Sequence, residues 1–157
     1  MIRSGIGYDR HRFAEDRRLL LGGVEIPSER GLAGHSDADV LTHAIIDALL
    51  GAAALGDIGQ HFPDTDPQYE ECDSIELLEK VRALLDEGGF AVVNVDATVI
   101  LERPQLARFR EQMREALATA LAVEIERVSV KATRGEGMGF IGRGEGAACM
   151  AIATVER

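Results

Sequence analysis

Asp9 and His11, closing the run Tyr8-Asp9-Arg10-His11, constrain this chain more than any other feature. In an extended strand, residues two apart point the same way, so a carboxylate and an imidazole stand side by side. His43, one turn into a following helical pattern, completes an oxygen, nitrogen, nitrogen set. The fold must then lay that helix against the first strand. Three such ligands leave the fourth tetrahedral position of a zinc ion open, the pattern of catalytic rather than structural sites. Asp-x-His alone is a weak signal and more often marks a strand entering a polar loop. The segment Gly34-His35-Ser36-Asp37-Ala38-Asp39-Val40, which delivers His43, decides for the metal.

Residues Ile2 to Tyr8 read as the first strand, with Gly5 and Gly7 permitting close backbone approach. Leu19–Leu21, Gly22-Gly23 and Val24–Ile26 spell a hairpin with a two-residue turn. Pro27 ends it, and Ser28 to Gly34 reads as a polar loop. Ser36 or Asp37 can cap a helix from about Ala38 to Leu55. Its apolar stripe is Val40, Leu41, Ala44, Ile45, Ala48, Leu49 and Ala52. His43 lies opposite with Asp39, Asp47, Ile46 and Leu50, a mixed face suited to lining a site or a subunit contact.

Further along, Phe62-Pro63-Asp64-Thr65-Asp66-Pro67 is a rigid, non-helical loop, either an Asx-type turn or a place for hydroxyl or cation recognition. A second helix runs from Asp73-Ser74 to about Glu87 and stops at Gly88-Gly89. Strand character returns over Val92–Leu101, Val128–Thr133 and Ala147–Val155, with a third helix over about Leu106–Leu121. No repeat, linker or low-complexity segment divides the 157 residues. The chain therefore reads as a single domain over 1–157, an α/β or α+β sandwich with one sheet backed by helices.

A net charge of −10 argues against a general binder of nucleic acid or anionic membrane. With no long apolar run, no signal-peptide pattern and no CxxC, a reduced cytoplasm is the expected location. An acidic protein can still hold phosphate where metals or local cations supply the charge. The glycine-rich stretch from Gly135 to Gly146 is the candidate place. Its Gly137–Gly142 matches GxGxxG, yet that motif has to open a helix inside a βαβ unit, and here a strand follows. Glycine richness alone would mean a flexible hairpin loop. The interleaved Lys131, Thr133, Arg134 and Arg143 instead suit phosphate oxygens, and Glu136 suits a second divalent cation bridging them.

Taken together, these blocks closely resemble the 2-C-methyl-D-erythritol 2,4-cyclodiphosphate synthase family of non-mevalonate isoprenoid biosynthesis, over essentially the whole chain. The resemblance rests on Gly7–His11, His35–Val40 with His43, Asp47–Ala52 and Leu55–Gly59. Phe62–Asp66, Asn94–Asp96, Val130–Thr133 and Gly142–Gly146 continue it in the same order. It implies a cytoplasmic homotrimer with inward-facing mixed sheets and active sites at subunit boundaries. It also implies a phosphorus–oxygen lyase that cyclises 4-diphosphocytidyl-2-C-methyl-D-erythritol 2-phosphate and releases CMP. Asp9, His11 and His43 would be the zinc ligands, Asp9, Arg10 and His11 also contacting substrate. His35 and Ser36 would hold the attacking phosphate, with His35 stabilising the transition state.

The same resemblance assigns Asp57, Ile58, Gly59, Phe62, Pro63, Asp64, Thr65 and Asp66 to the erythritol part. Leu101, Glu102, Arg103, Pro104, Gln105, Leu106 and Ala107 would form the cytidine pocket. Thr133, Arg134, Gly135 and Glu136 would take the diphosphate, Glu136 on a magnesium or manganese ion, with Phe140 and Arg143 completing the set. Tyr8, Arg143 and Glu145 would line a central channel. Family members often carry threonines where this chain has Arg134-Gly135, and a lysine where it has Gln105. Arg134 is expected to take over diphosphate stabilisation, since a guanidinium offers five donors and a permanent charge. Two other readings fit the same residues: a metal-dependent phosphoester hydrolase, and a non-catalytic binder of nucleotide or isoprenoid phosphate.

Overall fold

The computed structural model describes residues 1–157. Strand β1 runs over Ile2–Ala14, well past Tyr8, so Asp9 and His11 lie inside it. It pairs antiparallel with β7, Gly146–Glu156, Asp9 opposite Cys149 and His11 opposite Ala147. The short β2 (Leu19–Leu21) and β3 (Val24–Ile26) form the expected hairpin, Gly22 and Gly23 both with positive φ as a two-residue turn of this kind needs. The expected polar loop after Pro27 instead contains β4, Gly31–Leu32, which pairs with Phe13 and Ala14 at the far end of β1. With β5 (Ala91–Ile100) and β6 (Val128–Thr133) the main sheet has the order β4-β1-β7-β5-β6. Only β5 and β6 are parallel, and the segment joining them carries a crossover helix, as parallel neighbours require. The architecture is a mixed sheet with helices, of α+β type.

Helix α1 spans Val40–Ala53. Its cap is Asp39, whose Oδ1 accepts from Thr42 N–H at 2.9 Å, rather than Ser36 or Asp37. Ala38 sits at φ 55° and so cannot begin a helix, and Ala54 at φ 59° ends it. Asp39 does more than cap. Its two oxygens also accept from Gly22 N–H, Gly23 N–H and Thr42 Oγ1–H, fastening the hairpin turn to the helix start. Burial pushes the Asp39 carboxyl up, Asp37 adds to this, and the backbone donors oppose both. Ile46 and Leu50, read as a candidate contact face, are fully buried within the chain.

Helices α3 (Ser74–Glu87) and α4 (Arg110–Leu121) follow, with the short α2 (Ile58–His61) before them and α5 (Gly139–Gly142) after. The start of the third helix is a 3₁₀ turn, Ala107–Phe109. Aliphatic and alanine side chains of α1, α3, α4 and one sheet face form a continuous core. The other sheet face is open: Ile2, Ile6, Tyr8, Met150 and Ile152 are all exposed there, Ile6 to 67%. No helix is long and apolar enough to cross a membrane.

Candidate active site

Gly5, Gly7, Asp9 and His11 share one parity of β1. A Cβ on Gly7 would lie 1.9 Å from Ala44 O, and one on Gly5 would lie 2.1 Å from Ala48 O. The α1 backbone therefore rests directly on β1, as the two glycines had suggested. That contact brings His43 down to Asp9. Asp9 Oδ2 is 2.8 Å from His11 Nε2 and 3.2 Å from His43 Nδ1, and the ligand atoms of all three residues lie within 4.8 Å of one another.

The opposite nitrogen of His11, Nδ1, is 2.9 Å from Ala33 O. A carbonyl can only accept, so Nδ1 carries a proton, and in the neutral ring Nε2 is the nitrogen left with a lone pair for a metal. Burial raises the Asp9 carboxyl, but when the two rings are charged their donated hydrogen bonds and positive charge outweigh it and bring it down to about 2. A carboxylate and two imidazole nitrogens thus converge on one point, a donor set that fits a divalent metal and keeps a coordination position open.

This cluster forms the floor of a cavity of about 390 Å³. His35, Ser36, Ile58, Gly59, Phe62 and Asp64 line it, six of the residues the resemblance assigns to substrate. Ser36 Oγ lies 3.2 Å from His43 Nε2, and His35 Nε2 lies 3.3 Å from Asp66 O. Asp57 points its carboxylate to Gln60 N–H as the cap of α2, and Asp66 accepts from Gln68 N–H in an Asx-type turn. Pro63 and Thr65 belong to the same loop without lining the cavity. Asp47 also borders it and holds Ile58 N–H at 2.8 Å; burial, the largest influence, raises its carboxyl. Tyr69, Cys72 and Leu77 complete the wall, and nothing local in their sequence marks them. Tyr8 borders the cavity and is half-exposed.

The remaining candidate residues are elsewhere. Leu101, Glu102, Pro104, Gln105, Leu106, Ala107, Thr133 and Arg134 line a separate cavity of about 180 Å³, and Arg103 a neighbouring one. Gly135 donates to Glu102 Oε2 at 2.9 Å, and Glu136 is exposed. Phe140 shares a third hollow with Arg10, His11 and Glu145, and Arg143 pairs with Glu145 at 3.0 Å. Arg134 Nη2 lies 3.5 Å from Glu102 Oε1, with most of its side chain exposed. The glycine-rich stretch is not a slack loop either. A Cβ on Gly142 would lie 2.1 Å from Gly137 C, so the turn folds back on itself around α5.

The family model described as the YgbB family matches residues 2–156. A 2-C-methyl-D-erythritol 2,4-cyclodiphosphate synthase from Chlorobaculum parvum is 56% identical over 156 residues, covering 99% of each chain. One from Syntrophomonas wolfei is 58% identical, with the same coverage. Among solved structures, the bifunctional IspDF from Campylobacter jejuni superposes with a TM-score of 0.95 at 44% identity, over 99% of this chain and 42% of that longer one. The Plasmodium falciparum IspF CDP complex gives 0.86 at 32% identity, over 98% and 95%.

Proposed function

From the premise that the chain belongs to the YgbB family, we propose how it acts: it converts 4-diphosphocytidyl-2-C-methyl-D-erythritol 2-phosphate into 2-C-methyl-D-erythritol 2,4-cyclodiphosphate and CMP. The observation that carries this reading is the convergence of Asp9, His11 and His43 at the floor of a cavity also lined by His35 and Ser36. One phosphorus–oxygen bond forms, from a 2-phosphate oxygen to the phosphorus attached at the 4-position. One breaks, releasing CMP with the other phosphorus. The reaction class is that of a phosphorus–oxygen lyase, and residues 1–157 act as one synthase domain.

Because the nucleophile belongs to the substrate, the chain's task is to position it and to neutralise charge. Well-oriented intramolecular reactions gain roughly 7–11 kcal/mol from positioning. Zinc on Asp9, His11 and His43, and magnesium or manganese on Glu136, would supply Lewis-acid stabilisation when bound. Ser36 and His35 orient the attacking phosphate, and the loop over Phe62–Asp66 with Asp57–Gly59 holds the erythritol hydroxyls. Leu101–Ala107 enclose the cytosine, and Thr133–Glu136 hold the diphosphate.

Within one chain these two groups of residues line different cavities, which supports a site built from two copies. The open sheet face, with Ile6 opposite Ile152 and Tyr8 opposite Met150, supports a homotrimer that buries it around the axis. Both cysteines are free, in keeping with a cytoplasmic enzyme. Incubation with the cytidine diphosphate substrate, zinc and magnesium, followed by product mass, tests the reading. A cyclic diphosphate plus CMP is expected; a linear phosphate would mean a hydrolase, and unchanged substrate a binding protein.

A further inference from the structure

His43 has two ring nitrogens, and only Nδ1 faces Asp9. Its Nε2 lies 2.7 Å from Ser74 Oγ, on the first residue of α3, a side chain with no exposed surface. The Ser74 hydroxyl in turn donates to Asp37 Oδ1, and Ser74 N–H donates to Asp37 Oδ2 at 2.9 Å. Asp39 N–H also donates to Asp37, at 3.1 Å. Three donors from two segments hold that carboxylate in one orientation.

The direction of this chain of bonds is fixed by its end. An ionised carboxylate only accepts, so the Ser74 proton points to Asp37. Ser74 Oγ then has only lone pairs to offer His43, and Nε2 must carry the proton. In the neutral ring Nδ1 is left bare, aimed at the same point as His11 Nε2 and Asp9 Oδ2. We propose that Ser74, backed by Asp37, is a positioning residue that selects the metal-ready tautomer of His43 and holds its ring in place. The proposal rests on reading Asp9, His11 and His43 as a metal site.

A second consequence concerns Ser36. Its Oγ also lies 3.2 Å from Nε2. Since that nitrogen is a donor, the Ser36 hydroxyl proton is not used on His43 and remains available to a ligand in the cavity. One relay therefore prepares two groups, the bare Nδ1 and a donating Ser36.

The test is performed on the full-length protein with zinc as the probe. Long-range proton–nitrogen NMR reads which His43 nitrogen is protonated, and competition with a chromophoric chelator reads zinc affinity. Nε2–H is expected in the parent protein. Ser74→Ala should weaken zinc binding by about 10–100-fold, the usual loss when the hydrogen-bond partner of a ligating histidine is removed. Ser74→Thr, which keeps the hydroxyl, should recover most of it. A bare Nε2 in the parent, or unchanged zinc affinity in a folded Ser74→Ala, would overturn the proposal. Should Ser74→Ala not fold, the parent spectrum alone decides. A parent protein that takes up no zinc overturns the metal reading and the proposal with it; zinc uptake indifferent to Ser74 overturns the proposal alone.

Discussion

The metal cavity and the glycine-rich turn meet opposite demands with the same chain. Around Asp9, His11 and His43 the polar groups are partly or wholly buried and each has a partner inside the chain. Around Thr133–Glu136 the side chains are largely exposed, and the side-chain tie to the rest of the fold is Glu102, holding Gly135 N–H and lying beside Arg134. Preorganisation suits a site whose ligands have to be aimed before a metal arrives. Exposure suits a segment that finishes its contacts on a ligand and on a neighbouring copy. On the proposed function the two regions are two halves of one site, one rigid by itself and one to be completed by assembly.

The rigid half should break most severely where backbone meets backbone. Gly7→Ala would drive a Cβ to 1.9 Å from Ala44 O, relieved only by lifting α1 off β1. A loss of about 4 kcal/mol or more is expected from such overpacking, together with metal binding. Urea unfolding and zinc uptake measure both, and a stable Gly7→Ala that binds zinc normally would break the comparison from the rigid side.

Asp39→Ala should be next. It strips the acceptor from three backbone N–H groups and the Thr42 hydroxyl at once. Unpaired buried donors typically cost about 1–3 kcal/mol each, and partial relaxation should leave a net loss of about 3 kcal/mol. Thermal unfolding reads this directly. The smallest effect belongs to the exposed half. Arg134→Ala should fold normally and lower kcat/KM by about tenfold, since Glu102 already shares its charge. An unchanged kcat/KM would make the arginine a surface residue.

How much of this is legible in the sequence follows the range of each interaction. The Gly22-Gly23 turn, the α3 start and the Asp9-x-His11 pair depend on near neighbours, and local pattern exposes them. The bounds of α1 are hidden in the sequence because Ala38 before it and Ala54 after it take left-handed φ, which alanine seldom adopts and only tertiary packing enforces. The link from Asp37 to Ser74 joins residues 37 positions apart. The exposed sheet face is likewise invisible to periodicity, because its apolar residues imitate those of a core until the register is known.

Complementation between two inactive chains tests the shared site most directly. His43→Ala disables the metal half and Glu136→Ala the loop half, and each protein alone should be inactive. If every site joins the metal half of one subunit to the loop half of another, random mixing in equal amounts leaves about one site in four with both halves intact. Co-expressed, co-purified chains should therefore recover about a quarter of the parent turnover, read as CMP released. Mixed oligomers that form but stay inactive would show that both halves come from the same chain, and would contradict the account.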